Sequence, residues 1–90
     1  MISRVLIRSE GDVNGFFTLT YKDGTVRKYW SCDQGSLEQE DDGPYDLGRD
    51  EELKLFDLWF KMDCEDESLC HYAEFVWESG EMTKAWQADE

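Results

Sequence analysis

Ninety residues leave room for one hydrophobic core, so we expect a single compact domain over residues 1–90. Hydrophobic residues make up 40% of the chain and aromatic residues 14%, which is too apolar for a disordered protein despite a net charge of −13. That charge argues against direct binding of nucleic acid or of an anionic membrane. No apolar stretch is long enough for a signal peptide or a bilayer span, and the three cysteines lack framework spacing, so we expect reduced thiols in a cytoplasmic protein.

The first third of the chain predicts three strands, at residues 3–9, 16–22 and 25–32. Asp23-Gly24, between the second and third strands, is a strong hairpin signal. A two-residue turn at this point pairs Phe17 with Trp30 and fixes the register of the hairpin. One face of the hairpin then carries Phe17, Leu19, Tyr21, Val26 and Trp30, and the other carries Thr18, Thr20, Arg27 and Tyr29.

The middle of the chain predicts a long acidic loop followed by one helix. Residues 33–49 contain three glycines and the only proline, which favour a surface loop that is functional or mobile. Residues 50–63 predict the helix, with Asp50 as its N-cap. Apolar side chains cover more than half of its circumference, which is wider than one sheet face covers. The excess predicts either a second covering element or an exposed patch for association.

Two further strands are expected at residues 69–77 and 82–88, joined by a turn at residues 78–81. The predicted order is therefore β-β-β-α-β-β. This order indicates an α+β domain in which one helix packs on an antiparallel sheet of about five strands.

Neither catalysis nor metal binding is expected. His71 is the only histidine, and the chain has no phosphate loop, nucleophile elbow or dinucleotide fingerprint. Cys32, Cys64 and Cys70 could join His71 as zinc ligands, but their spacing matches no common zinc knuckle, and strand neighbours point to opposite faces. The oxygen-rich segment 41–46 lacks the alternating ligands of an EF-hand loop. We predict a protein that is not an enzyme and that holds no metal or cofactor.

The charges are unevenly distributed along the chain. Residues 1–32 hold five basic and three acidic side chains, whereas residues 33–90 hold four basic and nineteen acidic ones, a net charge of −15. One acidic cluster comprises Glu38, Glu40, Asp41 and Asp42, and a second comprises Asp63, Glu65, Asp66 and Glu67. The second lies at the predicted carboxyl end of the helix, where the dipole favours cations. Several acids at a place where each is electrostatically unfavourable are typical of a functional site. A solvated acidic turn without a function is an equal alternative.

The acid-rich segment 33–90 is similar to the small acidic inhibitors encoded by phages and mobile elements, notably anti-CRISPR proteins and other DNA mimics. The resemblance covers size and charge, and no family motif carries it. It implies a protein that occupies the basic channel of a nucleic-acid-binding complex such as a CRISPR–Cas effector, in the host cytoplasm if a phage encodes it. The two acidic clusters would then imitate phosphates, and Tyr45 and Trp59 would be aromatic anchors of the interface.

Two other functions remain open at the sequence level. An immunity protein that neutralises a basic nuclease toxin predicts the same acidic face, but a tight one-to-one complex. An accessory or structural domain would use its acidity for solubility alone. A homodimer through the surplus apolar face of the helix is compatible with all three functions.

Overall fold

The computed structural model describes residues 2–10, 14–32, 35–41, 45, 47–66 and 68–89. Its elements are β1 (Ile2–Glu10), β2 (Asn14–Tyr21), β3 (Val26–Ser31), β4 (Glu38–Gln39), α1 (Arg49–Phe60), β5 (Cys70–Glu78) and β6 (Glu81–Asp89). The strands form one antiparallel sheet in the order β4-β3-β2-β1-β5-β6. The predicted α+β fold, one helix with an antiparallel sheet, is confirmed. The additional strand is the short β4, which lies inside the segment predicted as loop.

The core lies between α1 and one face of the sheet. Alternate residues of the central strands point to this face, as Val5 and Ile7 do in β1 and Phe17 and Leu19 do in β2, and all four are buried. Helical spacing places the buried side chains of α1 against them, and the rings of Phe17 and Trp59 meet edge to face with centroids 5.9 Å apart. The opposite face of the sheet has no helix packed on it within the described part of the chain.

Small residues in three adjacent strands make room for Trp59. Gly15 of β2 lies between Ser9 of β1 and Ser31 of β3 in the sheet register. A Cβ atom on Gly15 would lie 3.0 Å from the indole ring, and the indole Nε1–H donates to Ser9 Oγ at 2.8 Å. The absence of a side chain at Gly15 therefore sets how closely the helix approaches the sheet.

The predicted register of the β2–β3 hairpin is wrong by one residue. Phe17 pairs with Tyr29 rather than with Trp30, so Tyr29 is buried on the helix side and Trp30 lies on the opposite face. The loop has three residues, because Gly24 N–H donates to Tyr21 O and Tyr21 N–H donates to Thr25 O. Gly24 has a φ of 90°, the left-handed conformation that closes a three-residue loop with a bulge.

The helix begins and ends earlier than predicted. Its N-cap is Gly48, whose N–H donates to the Glu51 carboxylate at 3.2 Å, rather than Asp50. It ends at Phe60, with Lys61 as the C-cap, and Lys84 of β6 donates to the Lys61 carbonyl oxygen at 3.4 Å. One cation, Lys84, thus meets the carboxyl end of the helix, and Asp63, Glu65 and Asp66 lie beyond it.

Some of the apolar side chains predicted to exceed what the sheet can cover are exposed on the outer side of α1. Leu53 is 50% exposed and Phe60 is 68% exposed, and they lie seven residues apart on one side of the helix. Asp57, between them, pairs with Lys61 at 3.0 Å.

Within the described residues, no helix is both long and apolar enough to cross a membrane.

Candidate functional site: an acidic rim beside β6

The structure separates the two predicted acidic clusters. Glu38 lies in β4 and Glu40 directly follows it, with its N–H bonded to Lys28 O, and Asp41 comes next. Strands β4 and β6 are the two edges of the six-stranded sheet, so five strand spacings of about 4.8 Å, roughly 24 Å, lie between them. Asp63, Glu65 and Asp66 lie at the β6 edge, as the contacts below show. The two clusters therefore do not form one continuous face, and Asp42 and Glu67 lie outside the described residues.

Gln87 of β6 holds the start of the second cluster against the sheet. Its side-chain Nε2–H donates to the Asp63 carbonyl oxygen at 2.6 Å, and its Oε1 accepts from the Asp63 N–H at 3.0 Å. Lys84 Nζ donates to the same Oε1 at 3.0 Å. These bonds involve only the backbone of Asp63, so its carboxylate stays exposed at the surface.

His71 fixes the other end of the cluster. Its side chain is 1% exposed, with Nε2 2.8 Å from the Asp66 carbonyl oxygen and Nδ1 2.6 Å from Asp89 Oδ1. The hydrogen bond to Asp66 and the one to Asp89 raise the pKa of His71 above its ordinary value, against the effect of burial. Both partners are acceptors, so the protonated ring satisfies both with N–H donors. The His71 ring therefore joins the acidic segment to the end of β6.

A local turn orders Asp66, the last acid of the second cluster among the described residues. Asp66 Oδ1 accepts from Ser68 N–H at 3.0 Å and from Ser68 Oγ–H at 2.6 Å. These two hydrogen bonds lower the pKa of Asp66, because they favour the ionised carboxylate. The side chain of Asp66 thus stays charged while its carbonyl oxygen binds His71.

Together these contacts form what we call the acidic rim, the exposed carboxylates of Asp63, Glu65, Asp66 and Asp89. An open groove of about 400 Å³ runs along the same edge, lined by Asp63, Glu65, Lys84, Gln87, Ala88 and Asp89. Sequence reasoning identified three of the four rim carboxylates and missed Asp89. The missing information is the β5–β6 register, which places Asp89 opposite His71.

The two predicted aromatic anchors occupy different environments. Trp59 is 4% exposed and packs on Phe17, so it is a core residue and not an accessible anchor. Tyr45 is 44% exposed and meets the Tyr29 ring edge to face at 5.8 Å. Of the two, only Tyr45 presents surface to a partner, and it lies among the residues that follow β4 rather than in the rim.

Glu52 is a buried carboxylate that sequence reasoning did not single out. Its Oε2 accepts from Leu37 N–H at 3.1 Å and from Tyr45 Oη–H at 3.0 Å, and its Oε1 lies 3.7 Å from Arg49. Burial and the bond to Glu52 raise the pKa of Tyr45 to about 12. Glu52 therefore fastens the segment between β3 and α1 onto the helix. Glu52 lies three residues before Leu55, on the same side of the helix, and this spacing is the sequence signal that could have predicted its burial.

The cysteines and acids of the described residues do not assemble a metal centre. No group of three or more histidine, cysteine, aspartate or glutamate side chains in this part of the chain lies close enough to hold an ion. Cys32 follows β3, whereas Cys64 and Cys70 lie beyond the helix, and both nitrogens of His71 face Asp66 and Asp89.

Comparisons with protein-family models, with curated proteins and with solved structures give no match to this chain.

Proposed function

We propose that this chain is a protein inhibitor that binds a basic, nucleic-acid-binding surface of another protein through the acidic rim. The observation that supports this proposal most is the arrangement of four exposed carboxylates from two separate segments at one edge of the sheet. Such a surface attracts lysine and arginine side chains that otherwise bind phosphates.

The rim suits this role better than the acids near β4. Glu40 lines a groove on the open sheet face together with Arg8 and Lys28, so two cations offset its field. At the rim, Lys84 is bound to Gln87 Oε1 and to the Lys61 carbonyl oxygen, and His71 is buried beneath the surface. Asp89 is paired with His71, so Asp63, Glu65 and Asp66 are the rim carboxylates that face solvent with less compensation.

The rim is also held in place before any partner arrives. Gln87, His71 and the Ser68 turn bind the backbone and one carboxylate of the acidic segment. A preordered charged surface loses less conformational entropy on binding than a flexible acidic loop would. The expected consequence is fast, salt-sensitive association with a basic partner, because exposed charges act over about 10 Å at 0.1 M salt.

The proposal is tested by affinity capture from a bacterial lysate at low salt, followed by mass spectrometry. The test variant is Asp63→Asn with Glu65→Gln, which removes two exposed rim charges and leaves the backbone bonds to Gln87 in place. The matched control is Glu38→Gln with Glu40→Gln, an identical change in charge at the opposite edge. We expect one nucleic-acid-binding protein to be retained by the wild type and the control, released by added DNA or RNA, and lost by the rim variant.

Other outcomes separate the alternatives. Retention of one small toxin that survives high salt would favour an immunity protein. Equal capture by all three forms, or only diffuse basic proteins that wash away with salt, would show that the acidity serves solubility and would refute the proposal.

A further inference from the structure

Strand β6 leaves a long edge of the sheet open. It runs for nine residues, from Glu81 to Asp89, and pairs only with β5 among the described strands, whereas the opposite edge strand, β4, has two residues. Most of its residues are exposed. An edge of this length presents backbone N–H and C=O groups to which another extended chain can bind.

The turn that begins β6 shows which of these groups point outward. Ser79 and Gly80 have φ values of 53° and 90°, typical of a two-residue turn closed by the hydrogen-bonded pair Glu78 and Glu81. Antiparallel alternation from that pair directs the N–H groups of Met82 and Lys84 away from β5. Gln87 lies beyond the irregularity between Glu74 and Phe75, and it is paired with Ala73. Ala73 is two residues from Phe75, the partner of Lys84, so the N–H of Gln87 points outward as that of Lys84 does.

One usual protection of an edge strand, an outward-pointing lysine, is weak here, although the pairing irregularity between Glu74 and Phe75 interrupts the regular ladder. A lysine on the edge commonly discourages pairing, but Lys84 is turned toward the helix end, where it donates to the Lys61 carbonyl oxygen and to Gln87 Oε1. The groove along this edge is lined by Asp63, Glu65 and Asp89. The part of the edge from Lys84 to Asp89 thus adjoins the rim, with hydrogen-bonding groups along the strand and carboxylates beside it.

We propose that an extended basic segment of the partner adds to β6 as a seventh strand, with its lysine or arginine side chains over the acidic rim. This inference rests on the proposed function and specifies how the partner is held: backbone hydrogen bonds supply affinity and the rim supplies charge selectivity. A second copy of this chain fits the edge poorly, because each copy carries a net charge of −13 and both ends of β6, Glu81 and Asp89, are acidic.

The probe is a peptide of about eight alternating lysine and threonine residues, a usual strand length, labelled for fluorescence anisotropy and titrated with the whole chain at low salt. Its matched control carries N-methyl groups on two adjacent central residues. This change removes one N–H from each edge of the peptide and leaves its charge intact. We expect the methylated peptide to bind at least about tenfold more weakly, and the unmodified peptide to slow hydrogen exchange of the Met82, Lys84 and Gln87 amides.

A pair of protein variants tests the same point from the other side. Lys84→Pro and Lys84→Thr both remove the lysine and its bonds, but only proline also removes the outward N–H and places a ring at the edge. We expect Lys84→Pro to bind the peptide more weakly than Lys84→Thr, with circular dichroism confirming that both are folded. The methylated peptide, used with the wild-type chain, keeps the test decisive if Lys84→Pro fails to fold.

Failure of this inference is distinguishable from failure of the proposed function. Equal binding of the two peptides without protection of β6, or no binding of either, overturns strand addition and leaves the lysate experiment to decide the inhibitor proposal. Conversely, strand-dependent binding that is unchanged by Asp63→Asn with Glu65→Gln would support the added strand and contradict the role of the rim charges.

Discussion

Replacement of Glu52 by alanine is the sharpest test of how the segment between β3 and α1 is held. In the wild type the carboxylate accepts from the buried Leu37 N–H and from Tyr45 Oη–H, and it lies near Arg49. Glu52→Ala removes both hydrogen bonds and leaves the Leu37 N–H without this acceptor. Helix propensity changes little and slightly in favour of alanine, so the loss of these contacts dominates.

The magnitude follows from the two bonds. An orphaned buried N–H costs about 1–3 kcal/mol, and loss of a hydrogen bond to a charged group costs about 1.5–3 kcal/mol, with the lower value appropriate for the half-exposed Tyr45. We expect the free energy of unfolding to fall by about 3 kcal/mol. For a chain of this length, that lowers the melting temperature by roughly 12–24 °C.

The assay is urea denaturation of the wild type, Glu52→Ala and Glu52→Gln, with Glu51→Ala as the control in the same helical turn. Glu51 accepts only an exposed cap hydrogen bond from Gly48, so its loss should cost less than about 1 kcal/mol. Glu52→Gln retains an amide oxygen and should lie between the wild type and Glu52→Ala. Equal stabilities of Glu51→Ala and Glu52→Ala would refute the reasoning. Burial, the largest cause of the raised Tyr45 pKa, remains in Glu52→Ala, so that pKa should fall only in part, and an unchanged pKa would also refute the contact with Glu52.

Two further outcomes are expected. Because the folded-state pKa of His71 is raised, its stabilising contribution should be complete below its unfolded pKa and disappear as the pH rises through the folded value. Asp89→Asn should therefore lower the pKa of His71 measured by NMR and reduce the difference in unfolding free energy between low and high pH; an unchanged pKa would contradict the His71–Asp89 contact. Gly15→Ala should lower the free energy of unfolding by about 1–3 kcal/mol in thermal unfolding, since the new methyl meets the Trp59 ring at 3.0 Å. Adding Trp59→Phe should recover part of that loss, whereas additive effects of the two substitutions would count against this packing.

The β2–β3 hairpin shows how far local sequence reasoning extends. Asp23-Gly24 identified the turn, because a glycine beside an aspartate is typical of tight turns and the strands alternate on either side. The number of loop residues depended on hydrogen bonds between Tyr21, Gly24 and Thr25, which the dipeptide does not specify. One additional loop residue reversed the faces of β3 and moved Tyr29 into the core.

The candidate site also combines features that the sequence indicated with contacts that only the structure shows. The acids after the helix were visible in the sequence, and so was the apolar pattern that made a helix of the preceding residues. Nothing local indicated that Asp89 meets His71, that Lys84 reaches the helix end, or that the β4 acids lie at the opposite edge of the sheet. Trp59 was placed correctly on the helix, yet its exposure depended on Gly15 more than forty residues earlier.

The sequence by itself determined the fold class, the single helix, the antiparallel strands and the strong net negative charge. These properties follow from hydrophobic periodicity, turn residues and composition, each of which acts over a few neighbouring residues or over the whole chain at once. Strand order, register and the burial of individual side chains were decided only by the tertiary structure. They depend on contacts between segments far apart in sequence, and a shift of one residue in any pairing moves every side chain of a strand to the other face.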